Sequence, residues 1–287
     1  MDSKYSIVPG FFAHPELEGL LPLQTASLPP RFGLVDESQN RWQTFLADIE
    51  KLNTNAPPNV SYKAIFAGRH GEGWHNVAEA KYGTEAWEEK WAALEGDGEI
   101  TWGPDPNLTP LGVDQAKEAH KLWEVETSRF GLPLPARFFC SPLTRALETF
   151  TITFEGIVSS DKKAPLVMEN CREQYGVHTC DKRRSASYIT STFPDVVLEH
   201  NFSDEDPLYS PDWRESHSNV ARRAKKVLDY IFFEDDVAKD EVLISITAHS
   251  GFINGLVAVT GHPKCNLPTG GILPMVVKCT KSSQSTD

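Results

Sequence analysis

Apolar and polar positions along the chain alternate between strand-like and helix-like periods. Glu241–Ala248 is the clearest strand, because its apolar and β-branched residues run almost without interruption, as in a parallel strand buried on both faces. Val60–Phe66 is a second β-like run. Apolar residues recur at helical spacing over Arg41–Leu52 and Ser218–Phe233, which predicts two amphipathic helices. The pattern indicates an α/β fold.

Weaker patterns predict the remaining elements. Residues 77–95 are predicted to form one helix, Arg137–Cys140 a short strand and Gly270–Lys278 the final strand. Residues 1–58 are rich in proline, glycine and aromatic residues, and they are too apolar for a disordered tail. We therefore expect an irregular arm, packed on the core, that leads into the first helix. Residues 281–287 are polar and predict a fraying tail.

Composition and charge narrow the class of protein. The chain has 287 residues and a net charge of -12, which argues against a nucleic-acid partner. A phosphorylated ligand would need a local basic pocket in this acidic surface. Five scattered cysteines without a CxxC pair argue against a zinc site or a disulfide framework. The sequence has no signal-peptide pattern and no apolar run near about 18 residues, so we expect a cytoplasmic protein without a membrane partner.

Polar side chains follow three of the predicted strands at the point where each strand ends. Arg69 and His70 follow the first, Arg145 comes shortly after the second, and His249 follows the last. Open α/β sheets bind ligands at the carboxyl ends of their strands, so we expect these side chains to converge. An arginine fork binds phosphate oxygens, and a histidine can act as nucleophile or base. The three junctions predict a site for an anionic ligand.

The residues at these junctions resemble motifs of the histidine phosphatase superfamily, which contains cofactor-dependent phosphoglycerate mutases and many phosphatases. Its signature resembles Arg69-His70-Gly71, with His75-Asn76 close behind. Its patterns Leu-Thr-x-x-Gly-x-x-Gln-Ala, Ser-x-x-x-Arg-Ala-x-x-Thr and Ala-His-x-Gly are matched, in the same order, at Leu108–Ala116, Ser141–Thr149 and Ala248–Gly251. We assign the Leu108–Ala116 element to packing.

The resemblance is closest to the fungal phosphomutase-like proteins, through the string Arg69–Asn76, the aromatic arm and the string Cys180–Arg184. It implies a three-layer α/β sandwich with a mostly parallel central sheet flanked by helices, plus an N-terminal arm and a cap insertion. The arm would be residues 1–58. The main domain would span residues 59–280, with its cap at about 171–217.

The resemblance also implies a mechanism and roles for the junction residues. His70 would attack phosphorus and become a phosphohistidine, while Arg69, Arg145 and His249 neutralise charge on the phosphate oxygens. Glu173 would protonate the leaving oxygen and then activate water. This carboxylate follows Cys-Arg where the superfamily usually has Leu-Arg, so Glu169 is an alternative acid. The mechanism needs no metal and no cofactor.

Further residues are predicted to contact the substrate. Asn76 and Trp74 follow the signature closely. The densest basic cluster of the chain lies in the predicted cap, where His178, Arg183 and Arg184 could clamp a second anionic group or the leaving group. The alternative for that cluster is a solvated basic turn.

Three functions compete. The first is a phosphatase acting on a small phosphorylated metabolite, and the second is a phosphoglycerate-type mutase. The glycolytic mutases carry a different sequence after their Arg-His-Gly, so the string Glu72–Asn76 favours the phosphatase. The third is a non-catalytic binding protein on the same fold, which the complete set of predicted catalytic residues disfavours. The sequence makes no prediction of oligomeric state.

Overall fold

A seven-stranded sheet forms the centre of the molecule. The computed structural model describes residues 3–13, 28–158 and 164–281. The strands, in chain order, are β1 (Ser3–Val8), β2 (Val60–Arg69), β3 (Arg137–Cys140), β4 (Leu166–Val167), β5 (Val197–Leu198), β6 (Leu243–Ala248) and β7 (Ile272–Lys281).

The sheet is mostly parallel, as predicted. Its spatial order is β1-β7-β2-β6-β3-β4-β5. Strands β2, β6, β3, β4 and β5 run parallel to one another, and β7 runs antiparallel to both of its neighbours, β1 and β2. Arg69 pairs with Ala248, and Cys140 pairs with Thr247. Three strands therefore end level, and the residues that follow them leave the sheet along one edge.

Helices cover both faces of this sheet. In the described ranges they are α1 (Arg41–Thr54), α2 (Trp74–Tyr82), α3 (Thr84–Glu89), α4 (Pro110–Phe130), α5 (Thr144–Thr153), α6 (Ala186–Thr192), α7 (His217–Asp229) and α8 (Ser250–Thr260). None of the helices in this part of the chain is both long and apolar enough to cross a membrane.

Two large apolar clusters, one on each face of the sheet, make the three layers. Neighbouring residues of a strand point to opposite faces. Ile65 of β2 accordingly lies in the cluster formed with α7 and α8, whereas Phe66 lies in the cluster formed with α1, α4 and α5. In the second cluster the rings of Phe66 and Trp123 are 5.2 Å apart, and Phe32 is 4.7 Å from Trp123. The predicted three-layer α/β sandwich is confirmed.

The helix predicted over residues 77–95 is interrupted. Helix α2 ends at Tyr82, and α3 begins after Gly83, whose φ of 80° lies in the left-handed region. A helix commonly ends at such a glycine, because a residue without Cβ adopts positive φ at little cost. The tryptophans of this stretch pack with Trp102 and Tyr82 in a third, smaller apolar cluster.

The described part of the N-terminal arm contains a strand, where the sequence analysis expects irregular structure. β1 pairs with β7 at the sheet edge, and the ring of Phe12 lies 5.4 Å from Phe45 and 6.1 Å from Phe66. Residues 14–27 of the predicted arm lie outside the described residues. So does the predicted tail apart from Lys281, which ends β7.

Candidate active site

His70 follows β2 directly, and the adjacent backbone holds its ring. Nδ1 lies 2.6 Å from the carbonyl oxygen of Gly71, and the residue is 1% exposed. A carbonyl oxygen can only accept a hydrogen bond, so Nδ1 carries the proton and Nε2 keeps its lone pair. This Nε2 lies 3.4 Å from Nε of Arg145. The arrangement makes Nε2 the nucleophilic atom of the ring.

Three imidazoles are buried side by side. The ring centroid of His70 is 5.0 Å from that of His249 and 5.4 Å from that of His75. Burial lowers the pKa of all three well below the usual value, and the positive charge of Arg145 lowers each further. The rings are therefore neutral near pH 7, as a histidine nucleophile requires.

Several buried polar atoms of the predicted site have no hydrogen-bond partner within the described residues. They are Arg69 Nε, His75 Nδ1 and His249 Nδ1. Buried polar groups in folded proteins are almost always hydrogen-bonded. Arg69 is anchored at its other end, where NH1 donates to Leu267 O at 2.7 Å. Oxygens of a bound anion would satisfy the donors among these atoms.

Two hydroxyl groups join the three junctions. Ser141 Oγ lies 2.7 Å from Nε2 of His249, which ties the end of β3 to the end of β6. Thr149 Oγ1 accepts from the backbone N–H of Gly71 at 3.0 Å and donates to the carbonyl oxygen of Arg145 at 2.7 Å. The serine and threonine of the Ser-x-x-x-Arg-Ala-x-x-Thr pattern therefore hold the site together.

The start of α4 holds the signature loop. Thr109 Oγ1 accepts from Gly112 N at 3.1 Å and donates to Glu72 Oε1 at 2.7 Å. Gln115 Oε1 accepts from Glu72 N at 2.7 Å. A Cβ atom at Gly71 would clash with the backbone of Gly112, and one at Gly112 would clash with that of Glu72. The element assigned to packing thus also positions the signature loop.

Arg145 lies in the first turn of α5 and reaches into the predicted cap, residues 171–217. It is 1% exposed, and its NH1 donates to Cys180 O at 2.7 Å. Its NH2 donates to Asp181 Oδ1 at 2.8 Å. Asp105 fixes the beginning of α5, because its carboxylate accepts from the backbone N–H of Thr144 at 2.8 Å and from the hydroxyl at 2.7 Å. The arginine therefore has a defined position.

Glu173 lies against the N-terminus of α8. Its Oε2 accepts from Gly251 N at 3.0 Å and from Ser250 Oγ at 3.2 Å, and its Oε1 accepts from Gln174 N at 2.8 Å. Because His249 immediately precedes α8, the structure brings the predicted acid to the helix that begins at the second histidine. A Cβ atom at Gly251 would clash with the Glu173 carboxylate.

The contacts of Arg183 argue against the prediction that it binds substrate. Its side chain is fully buried, and Nε pairs with Glu169 Oε1 at 2.6 Å. Its two terminal nitrogens donate to cap oxygens, which are the carbonyl oxygens of Arg184, Ser203, Asp204 and Glu205 and the hydroxyl of Ser203. No N–H group of this guanidinium is left for an anion. Glu169, the alternative acid, is further paired with Arg172 at 3.2 Å.

His178 and Arg184 lie in different surroundings. His178 supports the cap loop, with Nε2 at 3.1 Å from Glu88 Oε2 and Nδ1 at 3.9 Å from Asp181 Oδ2. The Arg184 guanidinium lies 5.3 Å above the Tyr188 ring. Its buried Nε donates to no group in the described ranges, so it retains a donor for a ligand.

Trp74 and Asn76 begin α2. Asn76 Oδ1 accepts from Gly73 N at 3.0 Å and so caps the helix, a structural task that the sequence analysis does not assign to it. Trp74, the first residue of the helix, is 38% exposed. The Asn76 amide nitrogen and the Trp74 ring are the parts available to a substrate.

Asp181 and Arg214 are candidate functional residues that the sequence analysis misses. Asp181 is buried, with Oδ1 on Arg145 and Oδ2 at 2.9 Å from Arg214 NH1. The basic residues that directly follow Asp181 are a sequence signal that this carboxylate has cationic partners. No motif marks Arg214, which lies 33 residues further along the chain.

Within the described residues, one group of side chains has the composition of a metal site. Donor atoms of His178, Cys180 and Asp181 lie within 4.8 Å of one another. Two arginines already pair with the Asp181 carboxylate. Burial raises the pKa of Cys180 well above its usual value, so the thiol keeps its proton. Because the Asp181 carboxylate already pairs with arginines and the Cys180 thiol is protonated, these side chains suit their guanidinium partners better than a metal ion.

Asp105→Asn should change how stability depends on pH. Burial raises the pKa of Asp105 to about 6, although Arg145 and Thr144 oppose the shift. Because the folded state binds the proton more tightly than the unfolded state, the contribution of Asp105 to stability falls as pH rises from about 4 to about 6. We expect Asp105→Asn to lack this decline, which is at most about 3 kcal/mol in the wild-type protein. Urea unfolding at pH 4 and pH 7 would measure the free energy of unfolding of both proteins.

Asp114→Asn is the matched control, because this α4 carboxylate is exposed and pairs only weakly with Lys117 at 3.4 Å. It should keep the wild-type dependence on pH. If the stability of Asp105→Asn depended on pH as the stability of wild type does, the prediction would be contradicted.

Sequence comparisons cover the same junctions. The model of the histidine phosphatase superfamily (branch 1) matches residues 69–269. A probable phosphoglycerate mutase of Arthroderma benhamiae is 38% identical, over 99% of this chain and 87% of its own length. Phosphomutase-like protein 3 of Candida albicans is 34% identical, over 96% of this chain and 80% of its own length. The resemblance to the fungal proteins is confirmed.

Solved structures are more distant. A mycobacterial glucosyl-3-phosphoglycerate phosphatase is 18% identical, with a TM-score of 0.44, 74% of this chain covered and 92% of that chain. The superfamily model spans well over half of the sequence and contains all three strand-to-helix junctions, from Arg69 to His249. The chain therefore belongs to the histidine phosphatase superfamily (branch 1).

Proposed function

We propose that this protein is a phosphatase that hydrolyses a small phosphorylated metabolite through a phosphohistidine, without a metal ion. The observation that carries the proposal is the state of His70. Its Nδ1 proton is engaged by the Gly71 carbonyl, its pKa is lowered by burial and by Arg145 and Arg69, and its Nε2 is 3.4 Å from the Arg145 guanidinium. A neutral nucleophile beside a fixed cation suits attack on a phosphate ester.

In the first step Nε2 of His70 attacks phosphorus, and the bond from phosphorus to the ester oxygen breaks. Arg69, Arg145 and His249 stabilise the charge on the transferring oxygens by donating hydrogen bonds. Glu173 gives its proton to the ester oxygen, so the leaving group departs as an alcohol. The intermediate is a phosphohistidine opposite a Glu173 carboxylate.

In the second step Glu173 takes a proton from water as the water oxygen attacks phosphorus. The bond from phosphorus to Nε2 breaks, and His70 returns to its neutral form with inorganic phosphate released. Glu173 thus acts first as acid and then as base. Its contacts with Gly251, Ser250 and Gln174 fix the position of the carboxylate. Glu169 is engaged instead by Arg172 and Arg183.

A phosphomutase is the second candidate. It is supported by the name of the relative from Arthroderma benhamiae, a probable phosphoglycerate mutase. A mutase would return the phosphoryl group from His70 to a second hydroxyl of the bound metabolite rather than to water. The string Glu72–Asn76 is our reason to prefer hydrolysis, and a non-catalytic protein would be expected to have lost one of the catalytic groups.

His70→Ala should abolish phosphate release. We expect wild type to release phosphate from members of a panel of phosphorylated metabolites in the presence of EDTA, and the variant to be at least about 1000-fold slower because it lacks the nucleophile. Circular dichroism should find both proteins folded. Equal rates would contradict the mechanism. Release that EDTA stops would contradict metal independence, and transfer to a hydroxyl without release would identify the mutase.

Glu173→Gln should slow the enzyme according to the leaving group. Losing a general acid costs about 100-fold or more with an alkyl phosphate, whose alkoxide needs a proton. The loss should be much smaller with p-nitrophenyl phosphate, because nitrophenolate leaves without one. Turnover of both esters by the variant and by Glu169→Gln is the measurement. A leaving-group effect in Glu169→Gln alone would reassign the acid.

Gly251→Ala should imitate the loss of Glu173. The added Cβ would clash with the carboxylate and displace it from the helix N-terminus. We expect turnover of an alkyl phosphate to fall at least about tenfold, with a smaller effect on p-nitrophenyl phosphate. Asn254→Ala, at an exposed position of the same helix, is the control and should be active. Normal turnover of the alkyl phosphate by Gly251→Ala would show that the carboxylate position is unimportant.

A further inference from the structure

Arg214 is a cap arginine whose guanidinium is only partly engaged. NH1 donates to Asp181 Oδ2 and to the carbonyl oxygen of Gly176, both at 2.9 Å, and also to that of Gln174. Nε and NH2 donate to no group in the described parts of the chain. The side chain is 24% exposed, whereas those of Arg172 and Arg183 are fully buried and bound on several sides.

A single buried carboxylate joins Arg214 to the proposed catalytic centre. Asp181 holds Arg145 on Oδ1 at 2.8 Å and Arg214 on Oδ2 at 2.9 Å. Burial alone would raise the pKa of Asp181, but the two arginines hold it below its usual value, so the group stays ionised. Arg145 in turn lies 3.4 Å from Nε2 of His70. Arg214 is therefore separated from the arginine beside His70 by one carboxylate.

Arg214 also lies within electrostatic reach of the proposed acid. Burial lowers the pKa of Arg214, but Asp181 and Glu173 raise it above its usual value. The charge of the same Glu173 also opposes the lowering of the Arg69 pKa by burial. Because Arg145 and Arg214 bind the same Asp181 carboxylate, a substrate phosphate held at Arg145 would have Arg214 close to the rest of the molecule.

We propose that Arg214 determines specificity by binding a second anionic group of the substrate, either a carboxylate or a further phosphate, and that Asp181 is the residue that positions it. The unengaged Nε and NH2 form one edge of the guanidinium, and such a fork binds two oxygens of an anion. This proposal rests on the proposed function, in which the first phosphate lies against His70. It gives to Arg214 a role that the sequence predicts for His178, Arg183 and Arg184.

Binding to the His70→Ala protein tests the proposal without turnover. Calorimetry would measure the Kd of two ligand pairs. 3-Phosphoglycerate has a carboxylate that glycerol 3-phosphate lacks. Fructose 1,6-bisphosphate has a second phosphate that fructose 6-phosphate lacks. We expect the doubly anionic member of one pair to bind at least tenfold more tightly, which also tells which anion is preferred.

Adding Arg214→Gln to the His70→Ala protein should reduce that preference to less than threefold, and Arg214→Lys should retain part of it through its charge. Asp181→Asn should weaken the preference too, because an amide cannot pair with two guanidinium groups as a carboxylate does. Arg222→Gln is the matched control, since this exposed arginine of α7 contacts Asn219 and is expected to leave the preference unchanged.

Three results would overturn the proposal. They are no preference in either pair, a preference that survives Arg214→Gln, and an equal loss of affinity for both members, which would mean that Arg214 only supports the cap. Absence of binding by all four compounds at millimolar concentration would also count against it. Phosphate release by wild type tests the proposed function separately, so an Arg214-dependent preference without any turnover would refute hydrolysis alone.

Discussion

The register of the three central strands is the constraint on which the remainder of the site depends. Arg69 is level with Ala248, and Cys140 is level with Thr247. A shift of one residue in the pairing register of a strand would move its side chains to the opposite faces of the sheet. Ile65 and its neighbour Phe66 belong to different apolar clusters, so such a slip would mismatch both cores at once. The burial of both faces therefore fixes where the junction side chains emerge.

Hydrogen bonds then convert this alignment into a defined constellation. The hydroxyls of Ser141 and Thr149 connect neighbouring junctions, and Asp105 holds the start of α5. Because these groups are buried, each unmade hydrogen bond would cost more than an exposed one. The same burial, together with Arg145, keeps His70 and the two histidines beside it neutral. The burial that holds the proposed nucleophile in position therefore also keeps its imidazole neutral.

The cap contributes charge by organising arginines around buried carboxylates. Arg183 is bound on all its donors, so its role is to hold the cap loops together. Asp181 divides its two oxygens between Arg145 and Arg214. A buried charge without such partners would be strongly unfavourable. Whether an arginine is structural or available to a ligand is therefore decided by how many of its N–H groups the cap itself uses.

The sequence alone determined the α/β class, the strands that precede His70 and His249, and the family, because each depends on a short run of residues and its local periodicity. Only the tertiary structure decided which cap arginines keep unengaged donors. Arg183 and Arg214 are chemically identical in the sequence, and their difference lies in contacts with distant carbonyl and carboxylate groups. The addition of β1 to the sheet edge is likewise a long-range pairing, with β7 at the other end of the chain. Periodicity describes one element at a time, whereas these features depend on which elements meet.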